Sequence, residues 1–269
     1  MEAVPDARRA ARSGFLAVGG RRLEYAWHGP PPEEAPTLVF LHEGLGCVSL
    51  WRDFPARLAD ATGWGALVYS RAGYGRSDPA PLPRPVTFMH EEGLRVLPEV
   101  LDAAGVRDAV LVGHSDGASI AMIHAGSGAA DRVRGLVLEA PHVFVEDVTV
   151  ESIARIGEAY RETDLRAKLA RHHGDNVDCA FLGWNGVWLD PAFRAWNVEA
   201  YLPHVTVPTL LIQGADDEYG TLAQVEAVRR QAGGPVKTVV LPGVGHSPHR
   251  EAPEAVLRAA AEFVESVRG

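Results

Sequence analysis

The chain has 269 residues, 46% of them hydrophobic and 23% charged, with a formal net charge of −9. That length supports one well-buried core with an inserted subdomain, and the acidic balance argues against nucleic acid or an anionic membrane as the main partner. No apolar run reaches the roughly 18 residues of a membrane span.

The N-terminal "MEAVPDARRAARSG" has basic residues but no apolar h-region, so it reads as a polar leader rather than a secretory signal. "FLAVGGRRLEYAWHG" then predicts two strands around a Gly-Gly turn. Apolar runs at 37–44, 65–75, 108–115, 133–141, 208–217 and 236–246 lack polar alternation, which suits parallel strands buried on both faces. Between them lie helical segments: "DFPARLADATG", "EEGLRVLPEVLDAAGV", "DGASIAMIHAGSG", "TLAQVEAVRRQAGG" and "APEAVLRAAAEFVESV". This alternation predicts an α/β fold, a mostly parallel sheet flanked by helices. Between Pro141 and Pro208 the rhythm breaks: "VESIARIGEAYRETDLRAKLARHHG" is helical and "FLGWNGVWLDPAFRAWNVEAYLP" is rich in aromatics. So long an excursion reads as an inserted helical cap. The expected division is a core first part at 1–141, a cap at 142–205 and a core second part at 206–269.

The chemistry concentrates at "GHSDG", where Ser115 sits in Gly-x-Ser-x-Gly between a strand and a helix. The glycines permit a sharp turn, and a helix N-terminus beside the serine offers unpaired N–H groups to negative charge. An N-capping serine on an ordinary turn is the plainer alternative. A serine nucleophile needs a base. His246, in "LPGVGHSPHRE", leaves the last core strand on a glycine-rich loop, with His249 as a nearby competitor. The base needs an acid, for which Asp217 is the first choice, with Asp216 and Glu139 as alternatives. The oxyanion donors are expected to be the backbone N–H of Asp116 and that of Gly44, with Leu45 second, in "LHEGLG". Glu43, Leu45, His142, Phe181, Trp184 and Trp188 are the expected substrate-pocket residues; Trp196 and Tyr201 belong to the same aromatic stretch.

"RHHGDNVDC" gathers His172, His173, Asp175, Asp178 and Cys179, but the spacing fits no zinc pattern, and "GYGRSD" lacks the third glycine of a dinucleotide fingerprint. No metal and no cofactor are expected. Cys47 and Cys179 read as free thiols of a reducing cytoplasm. The expected partner is a small-molecule substrate, for a monomer or homodimer.

Together "LHEGLG", "YSRAGYGRSDP", "GHSDG", "QGADDEY" and "GVGHSPH" resemble the α/β-hydrolase superfamily, in its motif order, over nearly the whole chain from about Phe15. The order Ser115, Asp217, His246 agrees with that fold. The resemblance implies about eight strands and a helical cap over the site. It also implies the activity of small capped serine esterases or lactonases, since dehalogenases and epoxide hydrolases use an aspartate nucleophile. "SRAGYGRS" looks like the superfamily's structural Arg-Gly-x-Gly-x-Ser loop with Ala72 added, and Glu43 stands where a glycine is usual. Carbon–carbon bond hydrolysis or lyase chemistry with the same residues, and a ligand-binding receptor on this fold, are the alternatives.

Overall fold

A computed structural model describes residues 12–268, so positions 1–11 of the N-terminal leader lie outside the described residues. Eight strands form one sheet in the order β1-β2-β4-β3-β5-β6-β7-β8. Strands β1 (Arg12–Val18) and β2 (Arg21–His28) form the antiparallel hairpin at one edge, and β2 also runs antiparallel to β4 (Gly65–Tyr69). From β4 onward the pairings with β3 (Thr37–Leu41), β5 (Ala109–His114), β6 (Val133–Glu139), β7 (Thr209–Gly214) and β8 (Val236–Leu241) are parallel.

Helices cover both faces. On one, Leu38, Phe40, Val110, Val112 and Ile212 pack with residues of α1 (Phe54–Thr62) and α10 (Pro253–Ser266). On the other, Val39, Leu41 and Leu111 pack with α3 (Leu97–Ala103), α4 (Asp116–Ala125) and α8 (Leu222–Gln231). Strands β3, β4, β5 and β7 are buried throughout, as their unalternating runs predict. Strand β8 departs from that expectation: it is the sheet's far edge among the described residues, and its positions are half-buried or exposed rather than buried. The predicted helix at 91–106 is also modified. It starts earlier, as α2 (Phe88–Glu91), and passes through a π-helical turn at Glu92–Val96 before α3. Pro98, which lacks an N–H, follows this turn and deprives the carbonyl four residues back of its usual donor.

Between β6 and β7 the chain leaves the sheet for α5 (Asp147–Glu162), α6 (Leu165–His173) and α7 (Val177–Trp188). Each long helix has a buried stripe: Thr149, Ser152, Ile153, Gly157 and Tyr160 in α5, and Val177, Ala180, Phe181, Trp184, Val187 and Trp188 in α7. A short α9 (Pro248–Glu251) completes the elements. No helix among the described residues is long and apolar enough to cross a membrane.

Candidate active site

Ser115 stands alone between the end of β5 and the first residue of α4, with φ 54° and ψ −118°. Few non-glycine residues adopt such a backbone; the turn around this one holds it there. A Cβ on Gly113 would come within 2.6 Å of Ala118 Cα, and one on Gly117 within 1.9 Å of the Leu41 carbonyl oxygen. Both glycines of Gly-x-Ser-x-Gly are therefore demanded by close backbone approach as the strand turns into the helix.

Ser115 Oγ lies 3.0 Å from His246 Nε2, and His246 Nδ1 lies 2.9 Å from each carboxylate oxygen of Asp217. Asp217 accepts only, so Nδ1 carries the proton and Nε2 presents its lone pair to the serine. Asp217 also accepts from Gln213 Nε2 at 2.7 Å and from the N–H groups of Tyr219 and Gly220 at 2.8 and 3.2 Å. Burial would raise its pKa, but the hydrogen bond from His246 and these charges and donors outweigh burial and hold it below the ordinary carboxylate value.

The other acids go elsewhere. Asp216 is exposed. Glu139 and His249, the competing acid and the competing histidine, are each other's partners: Glu139 Oε2 accepts from His249 Nδ1 at 3.0 Å and from its backbone N–H at 2.9 Å, fully buried.

Asp116 and Gly44, the residues expected to supply backbone donors, line the same cavity as Ser115 and His246. Asp116 is the first residue of α4, so its N–H has no intrahelical acceptor. On the loop after β3, the Glu43 carbonyl accepts from Arg71 Nη2 (3.1 Å), from Gly46 N–H (3.1 Å) and from His42 Nδ1 (2.7 Å). A trans peptide sends its N–H opposite to its carbonyl, so the Gly44 N–H points away from Arg71. His42 Nε2 accepts from the Arg71 N–H, which fixes the tautomer that donates to Glu43. Arg71, 1% exposed, also donates to the His42 carbonyl at 2.5 Å and lies 3.9 Å from the Asp116 carboxylate, so one guanidinium ties both donor arms together. Trp188 Nε1 donates to the same carboxylate at 3.2 Å. A Cβ at position 44 would fall 2.0 Å from Trp184 Nε1, so only glycine fits beneath that indole.

These groups open on a cavity of about 240 Å³, lined among others by Leu45, His142, Ile153, Trp184, Trp188 and Tyr219. His142 is buried beside His246, and burial first, then the neighbouring imidazole, press its pKa down to about 3, so it is neutral. Glu43 lines the cavity but turns its carboxylate to His114 Nδ1 at 3.5 Å, while His114 Nε2 lies 2.7 Å from the His246 carbonyl. The Glu43 carboxylate beside His114 favours a proton-bound, positively charged ring. Burial opposes that charge, but Glu43 outweighs burial and pushes the pKa up to about 9.

Phe181 is not in the lining, contrary to its expected place. It stacks on Tyr160 at 3.6 Å between ring centroids, inside the helical insertion. Trp196 stacks on Phe193, and Tyr201 packs near His90, both outside this cavity. Sequence reasoning passed over Thr149, Ile153 and Tyr219, which line it; Tyr219 had a signal, two residues after the acid in "DDEYG". The residues of "RHHGDNVDC" serve as contacts: His172 Nδ1 lies 2.9 Å from Ser49 Oγ, Asp178 pairs with Arg166 and Tyr160, and His173 and Asn176 bond the core loops.

The sequence profile described as the alpha/beta hydrolase family matches residues 38–259. The chain is 27% identical over 253 residues to 2-succinyl-6-hydroxy-2,4-cyclohexadiene-1-carboxylate synthase of Enterobacter sp. (strain 638), covering 85% of this chain and 92% of that one. It is 30% identical over 248 residues to a protein of Variovorax paradoxus (strain S110) assigned provisionally to carbamate hydrolysis under the name RutD, covering 84% and 89%. The crystal structure of VinJ superposes with a TM-score of 0.76 at 26% identity, covering 95% of this chain and 99% of that one. With the profile spanning most of the sheet, the elbow and the loop after β8, the chain belongs to the alpha/beta hydrolase family.

Proposed function

We propose that this hydrolase is a serine hydrolase that cleaves a carboxylic ester, thioester or lactone of a small, uncharged, largely apolar substrate through an acyl-enzyme. The observation that carries the reading is the unbroken relay Asp217–His246–Ser115 meeting unpaired backbone donors in one cavity. In this mechanism His246 Nε2 takes the Ser115 proton as Oγ bonds to the substrate carbonyl carbon, and Asp217 stabilises the resulting imidazolium. The electron pair displaced onto the carbonyl oxygen is held by the N–H groups of Asp116 and Gly44. It returns as the leaving oxygen or sulfur departs with the proton from His246. Water then repeats the sequence: it loses a proton to His246, attacks the acyl carbon and releases the acid and the free serine. The insertion at 142–205 acts as the cap, supplying Trp184, Trp188 and Ile153 as apolar walls.

A non-hydrolytic reading, such as carbon–carbon lyase chemistry with the same residues, has one observation in its favour: the Enterobacter relative is named a synthase rather than a hydrolase. That name includes a carboxylate, and the cavity has neither Lys nor Arg among its lining residues to receive one; its cation, His114, is already matched by Glu43. This favours a neutral substrate. Steady-state kinetics on p-nitrophenyl butyrate, a short aliphatic lactone and the p-nitrophenyl monoester of succinate provide the test. The neutral ester is expected to exceed the anionic one in kcat/KM by about tenfold or more, the worth of roughly one unfavourable charge near a protein surface. Cleavage of a vinylogous diketone with no turnover of any ester or lactone would overturn the reading.

A further inference from the structure

The oxyanion loop is tied from two sides, and only one tie belongs to the core. Arg71, His42 and the Gly46 N–H hold the carbonyl of Glu43. The carbonyl of Leu45 is held from the insertion, by His173 Nε2 at 3.0 Å. Between these anchors the Gly44 and Leu45 N–H groups make no hydrogen bond to protein among the described residues.

His173 is the last residue of α6 and is 2% exposed. Its Nδ1 accepts from the Gly75 N–H at 3.0 Å, so Nδ1 is bare and Nε2 carries the proton that goes to Leu45. Asn176, just beyond, donates to the carbonyls of Gly75 and Ser77 at 3.2 and 2.6 Å, which fixes the turn on which His173 is carried. The other donor arm is also touched by the insertion, through Trp188 and the Asp116 carboxylate.

From this geometry we infer that His173 is a positioning residue for the oxyanion hole: by holding the Leu45 carbonyl, the insertion sets the alignment of the loop that carries the Gly44 N–H as well as roofing the cavity. The inference rests on the serine-hydrolase reading above, and it adds that catalytic alignment depends on a side chain outside the core.

The two ring nitrogens make the test selective. His173→Asn puts an acceptor where Nδ1 stood, keeping the Gly75 contact and losing Leu45. His173→Gln puts a donor where Nε2 stood, keeping Leu45 and losing Gly75. On a neutral p-nitrophenyl ester, His173→Asn is expected to lower kcat by ~10–100-fold, the cost of misplacing a catalytic group by up to about an ångström. KM should stay within about twofold, because the donors act on the transition state. His173→Gln should stay within about threefold of the wild type. Equal kcat for the Asn and Gln variants, or an effect confined to KM, overturns the inference. Wild-type protein that fails to react with a fluorophosphonate overturns the hydrolase reading and the inference with it; wild-type reactivity with indistinguishable variants overturns the inference alone.

Discussion

Replacing Asp217 with asparagine is expected to lower kcat by about 10⁴-fold with little change in KM, whereas Glu139→Gln should stay within about tenfold of the wild type. The asymmetry follows from the hydrogen-bond inventory. Asp217 Oδ1 accepts from the N–H groups of Tyr219 and Gly220, and an asparagine must keep its carbonyl oxygen there. Its amide NH2 then faces Gln213 and His246 Nδ1, both donors in the wild type. Gln213 can turn its own amide to offer oxygen. His246 Nδ1 sits 2.9 Å from both positions, so its proton now meets an amide donor as well as the carbonyl oxygen; moving that proton to Nε2 relieves the clash and removes the acceptor that Ser115 needs. The Glu139 carboxylate meets His249 in a fully buried pair; Glu139 reaches Ser115 only through its backbone carbonyl, which accepts from the Ser115 N–H at 2.9 Å and is kept in Glu139→Gln. Rates on p-nitrophenyl butyrate near neutral pH check both variants; a loss in Glu139→Gln equal to that in Asp217→Asn contradicts the assignment of the acid.

Arg71→Met should reduce the free energy of unfolding by about 3–5 kcal/mol, the usual cost of stripping one partner from a buried ion pair. It should also remove most turnover. Methionine fills much of the space but donates nothing, so the carbonyls of His42 and Glu43 lose their guanidinium donors and Asp116, 0% exposed, keeps only the Trp188 N–H. Burial already raises the pKa of Asp116, opposed chiefly by Arg71. Without Arg71 that carboxyl is raised further, so its proton-bound form is the better tolerated one. The destabilisation of Arg71→Met should therefore be smallest at acidic pH and grow as pH rises through the folded-state pKa of Asp116. Urea unfolding at two pH values measures this, and adding Asp116→Asn should recover part of the loss. A midpoint unchanged at neutral pH contradicts the role given to the guanidinium.

Local chemistry was legible in the sequence. The unalternating strands, the Gly-x-Ser-x-Gly turn and the Gly-Val-Gly-His loop are each determined by neighbours a few residues away, where proline, glycine and hydrophobic period speak directly. The partners of the acids were not legible, because Glu139 meets His249 across 110 residues, a pairing set by the register of β6 and the placement of α9. Phe181 and Trp184 lie three residues apart on one helix, and no composition signal says that one stacks inside the insertion while the other reaches the cavity. Glu43 read as a substrate-pocket residue, yet its carboxylate meets His114, and His173 read as one of a cluster that fits no metal pattern, yet it holds Leu45. Such roles emerge only when the insertion docks on the loops of the sheet.

The central claim is that Ser115 is the nucleophile, and its most direct measurement is peptide mapping by mass spectrometry after reaction with a fluorophosphonate. The account predicts a single phosphonyl adduct on the peptide containing Ser115, absent from Ser115→Ala. An unmodified wild-type protein, or an adduct on a neighbouring hydroxyl such as Ser119 or Ser247, would contradict it.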